Sequence, residues 1–233
     1  MNDTSADTTG AMTPFEAVSR YYRARRERLG TNLSERQGLA LRAVPYLLHV
    51  HEKGLPGYRD GASTPYGIVV APSDEAVEKR WREFFPATPL PEAAGETSIA
   101  CVGMSGEGGT WGQGPETPFL FFVFAGDELA DPALIALQWK CDQIAGWLDK
   151  NFHLRAEFHA MRPADLRAGV FPHVRRAKDA MDGPVIRDRL AATFFALAGA
   201  IPTFHAAGSE HSIDLGMPET IGHENLLHFA LRR

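Results

Sequence analysis

Two apolar segments, Ser98–Met104 and Pro118–Ala125, are joined by a stretch with six glycines between Val102 and Gly114. Apolar runs of seven or eight residues have the length of buried strands and fall well short of the roughly 20 residues that cross a bilayer. The pair therefore predicts two core strands of a sheet with a long glycine loop between them. Covering such a sheet takes helices, and the flanking sequence supplies them.

Ahead of the strands, Phe15, Val18, Tyr21 and Tyr22 recur near helical spacing, with Gly30 as a stop. Ser34 and Gln37 form a capping-box pattern ahead of Leu39, Ala43, Val44, Leu47 and Leu48, with Pro45 placed to kink that helix. A short strand is expected at Tyr66–Ala71 and a helix from a Ser73 cap to Phe84, with Asp74 and Glu75 in its first turn. After the second apolar strand, Asp131 reads as a cap and Pro132 as the first residue of a helix reaching about Lys150. His153 to Met161 alternates as a half-buried strand. The Arg162–Gly183 stretch reads as irregular with a short helix, Val185–Ala200 as an apolar helix, and a last helix is expected from about Glu219. The organisation that follows is a tail over 1–12, one α/β domain over 13–201, and an extension over 202–233 packing on it.

Composition narrows the function classes. A net charge of -5 lacks the basic footprint of a nucleic-acid binder, and no segment has the length or flanks of a signal peptide or membrane span. Cys101 and Cys141 have no metal-ligand spacing, so a reducing, cytoplasmic setting is the default expectation. The basic cluster Arg23–Arg28 reads either as a solvated helix face or as an anion site.

The glycine loop itself has two readings. Glycines let a backbone adopt positive φ and turn its amides onto a phosphate, or they simply make a long flexible connection. Neither the phosphate-loop pattern ending in Gly-Lys-Ser/Thr nor the dinucleotide fingerprint opening a helix is present. Ser105 sits in a Gly-x-Ser-x-Glu context rather than the Gly-x-Ser-x-Gly elbow of a serine hydrolase. Among nine histidines no tight ligand motif occurs; His49 and His51 are close, and His153 and His159 fall on one strand face.

The segment Leu47-Leu-His-Val-His-Glu-Lys-Gly-Leu-Pro-Gly-Tyr58, followed by Tyr66-Gly-Ile-Val-Val-Ala-Pro72, resembles the N-terminal region of class I adenylate cyclases. The likeness continues through Val102–Val123, Lys140-Cys141 and Trp147, and more weakly to Ala196–Gly199 and Ile213–Gly216. What it implies is a nucleotidyltransferase-like α/β fold, a small mixed sheet flanked by helices. In the family, a loop ending Gly-Gln-Ser precedes a strand with Asp-x-Asp, whose two carboxylates project from one face and hold Mg²⁺ for the conversion of ATP to cyclic AMP and pyrophosphate.

Aligning Gly112-Gln113 with the family's Gly-Gln sets Pro118 and Leu120 where the aspartates belong. No acid occurs from Thr117 to Gly126. The expectation is a divergent, non-catalytic member without resident metal or catalytic residues, acting through a nucleotide ligand or a protein partner. Its candidate substrate-binding residues are Ser105, Gly106, Gly112, Gln113 and Glu157. The alternative is an active cyclase using ATP with Mg²⁺ through relocated acids, for which Glu107, Glu116, Asp127, Glu128 and Glu157 are available and Glu157 alone is placed by periodicity.

Overall fold

A computed structural model describes residues 14–60, 64–90, 95, 97–108, 110, 117–171, 189–202 and 212–215. Gly112, Gln113 and Glu116, the tail over 1–12 and the helix expected from Glu219 lie outside the described residues.

The two apolar segments form β1, Ile99–Ser105, and β2, Phe119–Ala125, paired antiparallel in the middle of a four-stranded mixed sheet. Their side chains are buried on both faces except for Ala100 and Leu120, which are half-buried. From β2 the chain enters α4, Asp131–Phe152, and returns as β3, Ala156–Met161, parallel to β2. This is a strand–helix–strand crossover, the connection that parallel neighbours require. Phe121 and Phe158 lie directly opposite and stack with ring centroids 4.6 Å apart, an aromatic cross-strand pair that fixes this register.

Ahead of the sheet come α1, Pro14–Arg28, α2, Glu35–His49, and α3, Glu75–Phe84. The Ser34 capping box forms as its sequence dictates, and α2 runs through Pro45 to His49. On α3 the cap is Asp74 rather than Ser73: its carboxylate accepts from the amides of Ala76 and Val77. On α4 the residue at the cap is Ala130, without a side-chain bond, and Asp131 lies inside the first turn, paired with Arg162. Trp81 and Phe85 of the α3 end stack toward Trp147 and Phe152 of α4, with Phe85–Trp147 and Trp147–Phe152 centroids 5.3 and 4.9 Å apart.

Three expectations are corrected. Tyr66–Ala71 forms no strand of the sheet but a single bridge, Ile68 to Ile99, and Val69 and Val70 are exposed. His153 caps α4 in the left-handed conformation at φ 54°, so the strand begins only at Ala156 and His153 shares no strand face with His159. The Val185–Ala200 helix does not reach its expected end. Residues 189–193 are helical, but Phe195–Gly199 is β4, antiparallel to β1, giving the sheet order β3-β2-β1-β4. Ala and Leu favour a helix locally; the open edge of β1 offers a ladder of backbone bonds, and tertiary pairing prevails. Beyond it, β5, Ile201–Pro202, pairs in parallel with β6, Ser212–Ile213, and Ile213 and Leu215 are buried. The irregular stretch contains α5, Pro163–Arg167.

The outer edge of β3 is occupied by a side chain. Gln138 of α4 donates to the Phe158 carbonyl at 3.0 Å and accepts from the Ala160 amide at 2.9 Å, mimicking a neighbouring strand. An unpaired strand edge is a template for association with another chain. Replacing Gln138 by alanine is expected to cost about 1 kcal/mol of stability, read from the denaturant midpoint. The same variant should scatter more light than wild type when concentrated; unchanged stability and scattering would show that the edge needs no cover.

Candidate functional site

The ladder places three of the residues in question in one row. Ser105 of β1 lies opposite Leu120 of β2, and Leu120 lies opposite Glu157 of β3. Directly opposed residues of a sheet point to the same face. The side chains of Ser105, Leu120 and Glu157 therefore share one face at the end of the sheet where β1 runs into the glycine loop. Leu120 and Pro118, two residues before it, are half-buried, and Glu157 is exposed.

The described part of the loop is firmly held. Gly106 sits at φ +83°, a conformation that favours glycine, and its amide donates to the Thr193 hydroxyl at 2.8 Å. That hydroxyl also bonds Ser105 Oγ at 2.8 Å and donates to the Arg189 carbonyl. The Arg189 guanidinium lies over Gly106, its Nη2 2.7 Å from the point a β-carbon there would occupy.

From the other side, Arg25 of α1 grips the loop's carbonyls. Its Nε donates to Gly108 O at 3.0 Å, its Nη2 to Gly106 O at 2.9 Å and Gly108 O at 2.6 Å, and its Nη1 to Tyr21 Oη at 2.8 Å. The guanidinium also stacks over Phe195 of β4, 4.6 Å from the ring centroid. Arg25 is only 6% exposed, and this burial lowers its pKa from the ordinary arginine value. Thr110 closes a turn by bonding the Glu107 carbonyl through both its amide and its hydroxyl. The loop's start is thus a fixed turn whose Gly106 amide is already engaged.

Of the candidate residues, the structure brings Ser105, Gly106 and Glu157 to the same end of the sheet and leaves Gly112 and Gln113 undescribed. Of the other acids, Asp127 is tied to Arg167 and to the Ala164 amide. The Arg167 pair and this bond outweigh the desolvation that would raise its carboxyl, leaving it below the usual range. Among the described residues no three His, Cys, Asp or Glu side chains come together as a metal-binding group. A half-buried leucine beside one exposed carboxylate does not fit a Mg²⁺ pair, which is bound through carboxylate and water oxygens.

The segment with two histidines builds a second polar cluster. His49 Nδ1 accepts from the Ile68 amide at 2.9 Å, which leaves the ring proton on Nε2. His51 stacks between Tyr58 and Tyr66, with centroids 4.8 and 5.8 Å away, and its buried Nδ1 has no hydrogen-bond partner among the described residues. Behind them lies Lys140 of α4, fully buried, its ammonium bonded to the carbonyl of Val50 at the C-cap of α2. A cation at a helix C-terminus meets unsatisfied carbonyls and the negative end of the dipole. Burial nevertheless pulls the Lys140 pKa down to about 7, and burial followed by the charge of Lys140 lowers both histidines. Gly57, at φ +81°, lets the chain pass against the lysine stem: a β-carbon there would lie 2.4 Å from Lys140 Cγ. The Pro-Gly-Tyr turn and Lys140 are therefore two halves of one packing unit.

Arg25, Thr193 and Lys140 were absent from the sequence-derived site. For two of them a signal existed: Arg25 falls on the buried stripe Val18, Tyr22, Leu29, and Lys140 on the stripe Leu137, Cys141, Ile144. A cation on an apolar helix face must find partners inside. Thr193 gave no such signal, because its neighbourhood is created by the β1–β4 pairing.

Residues 13–185 match the family model described as adenylate cyclase NT domain, a span holding α1 through α5 and the first three strands. No curated protein and no solved structure matches the chain. No helix among the described residues is long and apolar enough to cross a membrane.

Two measurements check the clusters. Arg25→Met strips the Gly106 and Gly108 carbonyls of their donors and is expected to lower stability by about 2 kcal/mol, with faster proteolysis within residues 106–110. A stable variant with an equally resistant loop would remove Arg25 as its anchor. For Lys140, a cation depressed on folding, the unfolded chain holds the extra proton between about pH 7 and the ordinary lysine value near 10.5. Stability from this group therefore rises as pH climbs through that window. The gap between wild type and Lys140→Met should shift in favour of wild type from pH 7 to pH 9.5 in urea midpoints; a pH-independent gap would contradict it.

Proposed function

The chain belongs to the adenylate cyclase N-terminal domain family, and we propose that within it this is a divergent, non-catalytic member that acts by binding a nucleotide ligand rather than by cyclising it. The observation that carries this reading is the row Ser105–Leu120–Glu157. Ser105, where β1 enters the glycine loop, shares this row, and the position where the family resemblance calls for a metal carboxylate holds a half-buried leucine.

Two-metal catalysis needs carboxylates on adjacent same-face positions, because two cations must bridge the attacking and leaving oxygens of the phosphate. Pro118 and Leu120 offer no ligand atom, and Glu157 alone is one exposed carboxylate. The several kcal/mol of charge stabilisation that metals supply to such a transition state is therefore missing. A ligand can still meet Arg189 above Gly106, a cation that makes no hydrogen bond or ion pair through its side chain among the described residues. A guanidinium attracts phosphate oxygens without a metal intermediary. Binding at this end would thus be independent of Mg²⁺, whereas a cyclase binds its substrate as the metal complex.

The rival reading, an active cyclase with relocated acids, draws on the placement of Glu157 beside Leu120. The two readings part on product. Incubated with ATP and Mg²⁺, wild type is expected to give no cyclic AMP above the protein-free blank, while calorimetric titration with ATP gives the same affinity with and without Mg²⁺. Sustained cyclic AMP formation that disappears in Glu157→Ala would overturn the non-catalytic reading and establish the rival.

A further inference from the structure

On α1, the residues beside Arg25 turn away from the glycine loop and line a separate cavity. Its volume is about 240 Å³, and it lies between α1, α2, the turn at Pro72–Asp74 and Leu197 of β4. Three arginines line it: Arg23 and Arg26 of α1 and Arg42 of α2. Arg23 and Arg26 are three residues apart and so project from one helix face.

Their charges are unequally matched. Arg42 is spent on Asp74, whose two carboxylate oxygens it binds at 2.6 Å each. Asp74 is further occupied by capping α3, and Tyr46 on the cavity wall donates to Glu78. Arg26 has only a 3.4 Å bond to the Leu197 carbonyl, and Arg23 makes no hydrogen bond or ion pair among the described residues. Glu27, the other acid on the wall, forms no ion pair with either among the described residues. Arg23 and Arg26 are both exposed; partial desolvation at the cavity lowers the Arg26 pKa, and the like charges of Arg23 and Arg42 lower it further, against the opposing pull of Asp74 and Glu27. Two guanidiniums held at one concavity without a dedicated carboxylate repel each other until an anion bridges them.

We propose that this cavity is a binding site for a phosphoryl group, gripped by Arg23 and Arg26 beside the Arg42–Asp74 pair. A phosphoryl group matches the fork geometry of guanidinium donors, each able to give two parallel bonds. The volume is below the roughly 300 Å³ at which pockets for drug-sized ligands begin, so it suits a phosphate or the phosphate end of a small molecule. None of the residues lining it belongs to the Ser105–Leu120–Glu157 row. It does not depend on the reading of that row.

The test is isothermal titration of the full chain with inorganic phosphate and, separately, with a nucleoside monophosphate, at low ionic strength. Wild type is expected to bind at least one; tighter binding of the monophosphate identifies a carried phosphoryl group, and equal or tighter binding of inorganic phosphate identifies the free ion. The double variant Arg23→Ala, Arg26→Ala should lose about tenfold or more in affinity, while Arg23→Lys, Arg26→Lys, which keeps the charges but not the paired donors, should fall between it and wild type. Circular dichroism of each variant separates loss of the site from loss of the fold. Absence of binding by wild type overturns the proposal, as does undiminished affinity in a folded double-alanine variant.

Discussion

The grip of Arg25 on the glycine loop is the contact on which this end of the molecule depends. Loops rich in glycine lose more entropy on ordering than other segments, so fixing one requires bonds that outweigh that loss. Here a buried guanidinium gathers two loop carbonyls while its face lies on Phe195, which joins α1, the β1 exit and β4 at a single point. Charged donors make stronger bonds than neutral ones, particularly away from water. On the opposite side the Thr193 hydroxyl takes the Gly106 amide and touches Ser105. The Gly106 amide and the Gly106 and Gly108 carbonyls are thus all engaged within the chain.

Much of this fold was legible because its strongest signals are local. The Ser34 capping box, the two apolar strands and the stripe of α4 each follow from residues within one element. β4 was not legible for the same reason in reverse. Phe195–Gly199 reads as helix while only its own composition is considered, and becomes a strand because β1 presents an open edge. The difference between Asp74 and Ser73 as cap is one residue of phase, settled by which carboxylate reaches the first amides of α3. The site divided along the same line. Ser105 and Glu157 came from motif and periodicity, whereas Thr193 is joined to Ser105 across 88 residues of chain.

The segment carrying His49, His51 and Pro-Gly-Tyr illustrates how a recognisable motif need not be a ligand site. His49 spends its Nδ1 on a backbone amide, Gly57 yields its side-chain space to Lys140, and Lys140 spends its ammonium on the end of α2. His49, Gly57 and Lys140 are each accounted for by packing or by a backbone group that would otherwise be unsatisfied, whereas the buried His51 Nδ1 has no partner among the described residues. The cost is a buried cation with a depressed pKa, compensated by the helix terminus it serves. Such a unit constrains the sequence closely through packing at Gly57 and Lys140.

Anchoring of the glycine loop is likewise independent of what the Ser105–Leu120–Glu157 row carries at its middle position. In the Ser105–Leu120–Glu157 row, carboxylates without a metal would repel one another and lose solvation, so a sheet end built for metals is strained when empty. A leucine in the row removes that repulsion and adds apolar burial, while the loop remains anchored by Arg25 and Thr193, neither of which needs a metal to hold it. The residues that anchor the loop and the position that Leu120 fills are therefore different. Changing what the row carries would leave the anchors in place, because Arg25 and Thr193 hold the loop through its own carbonyls and amide.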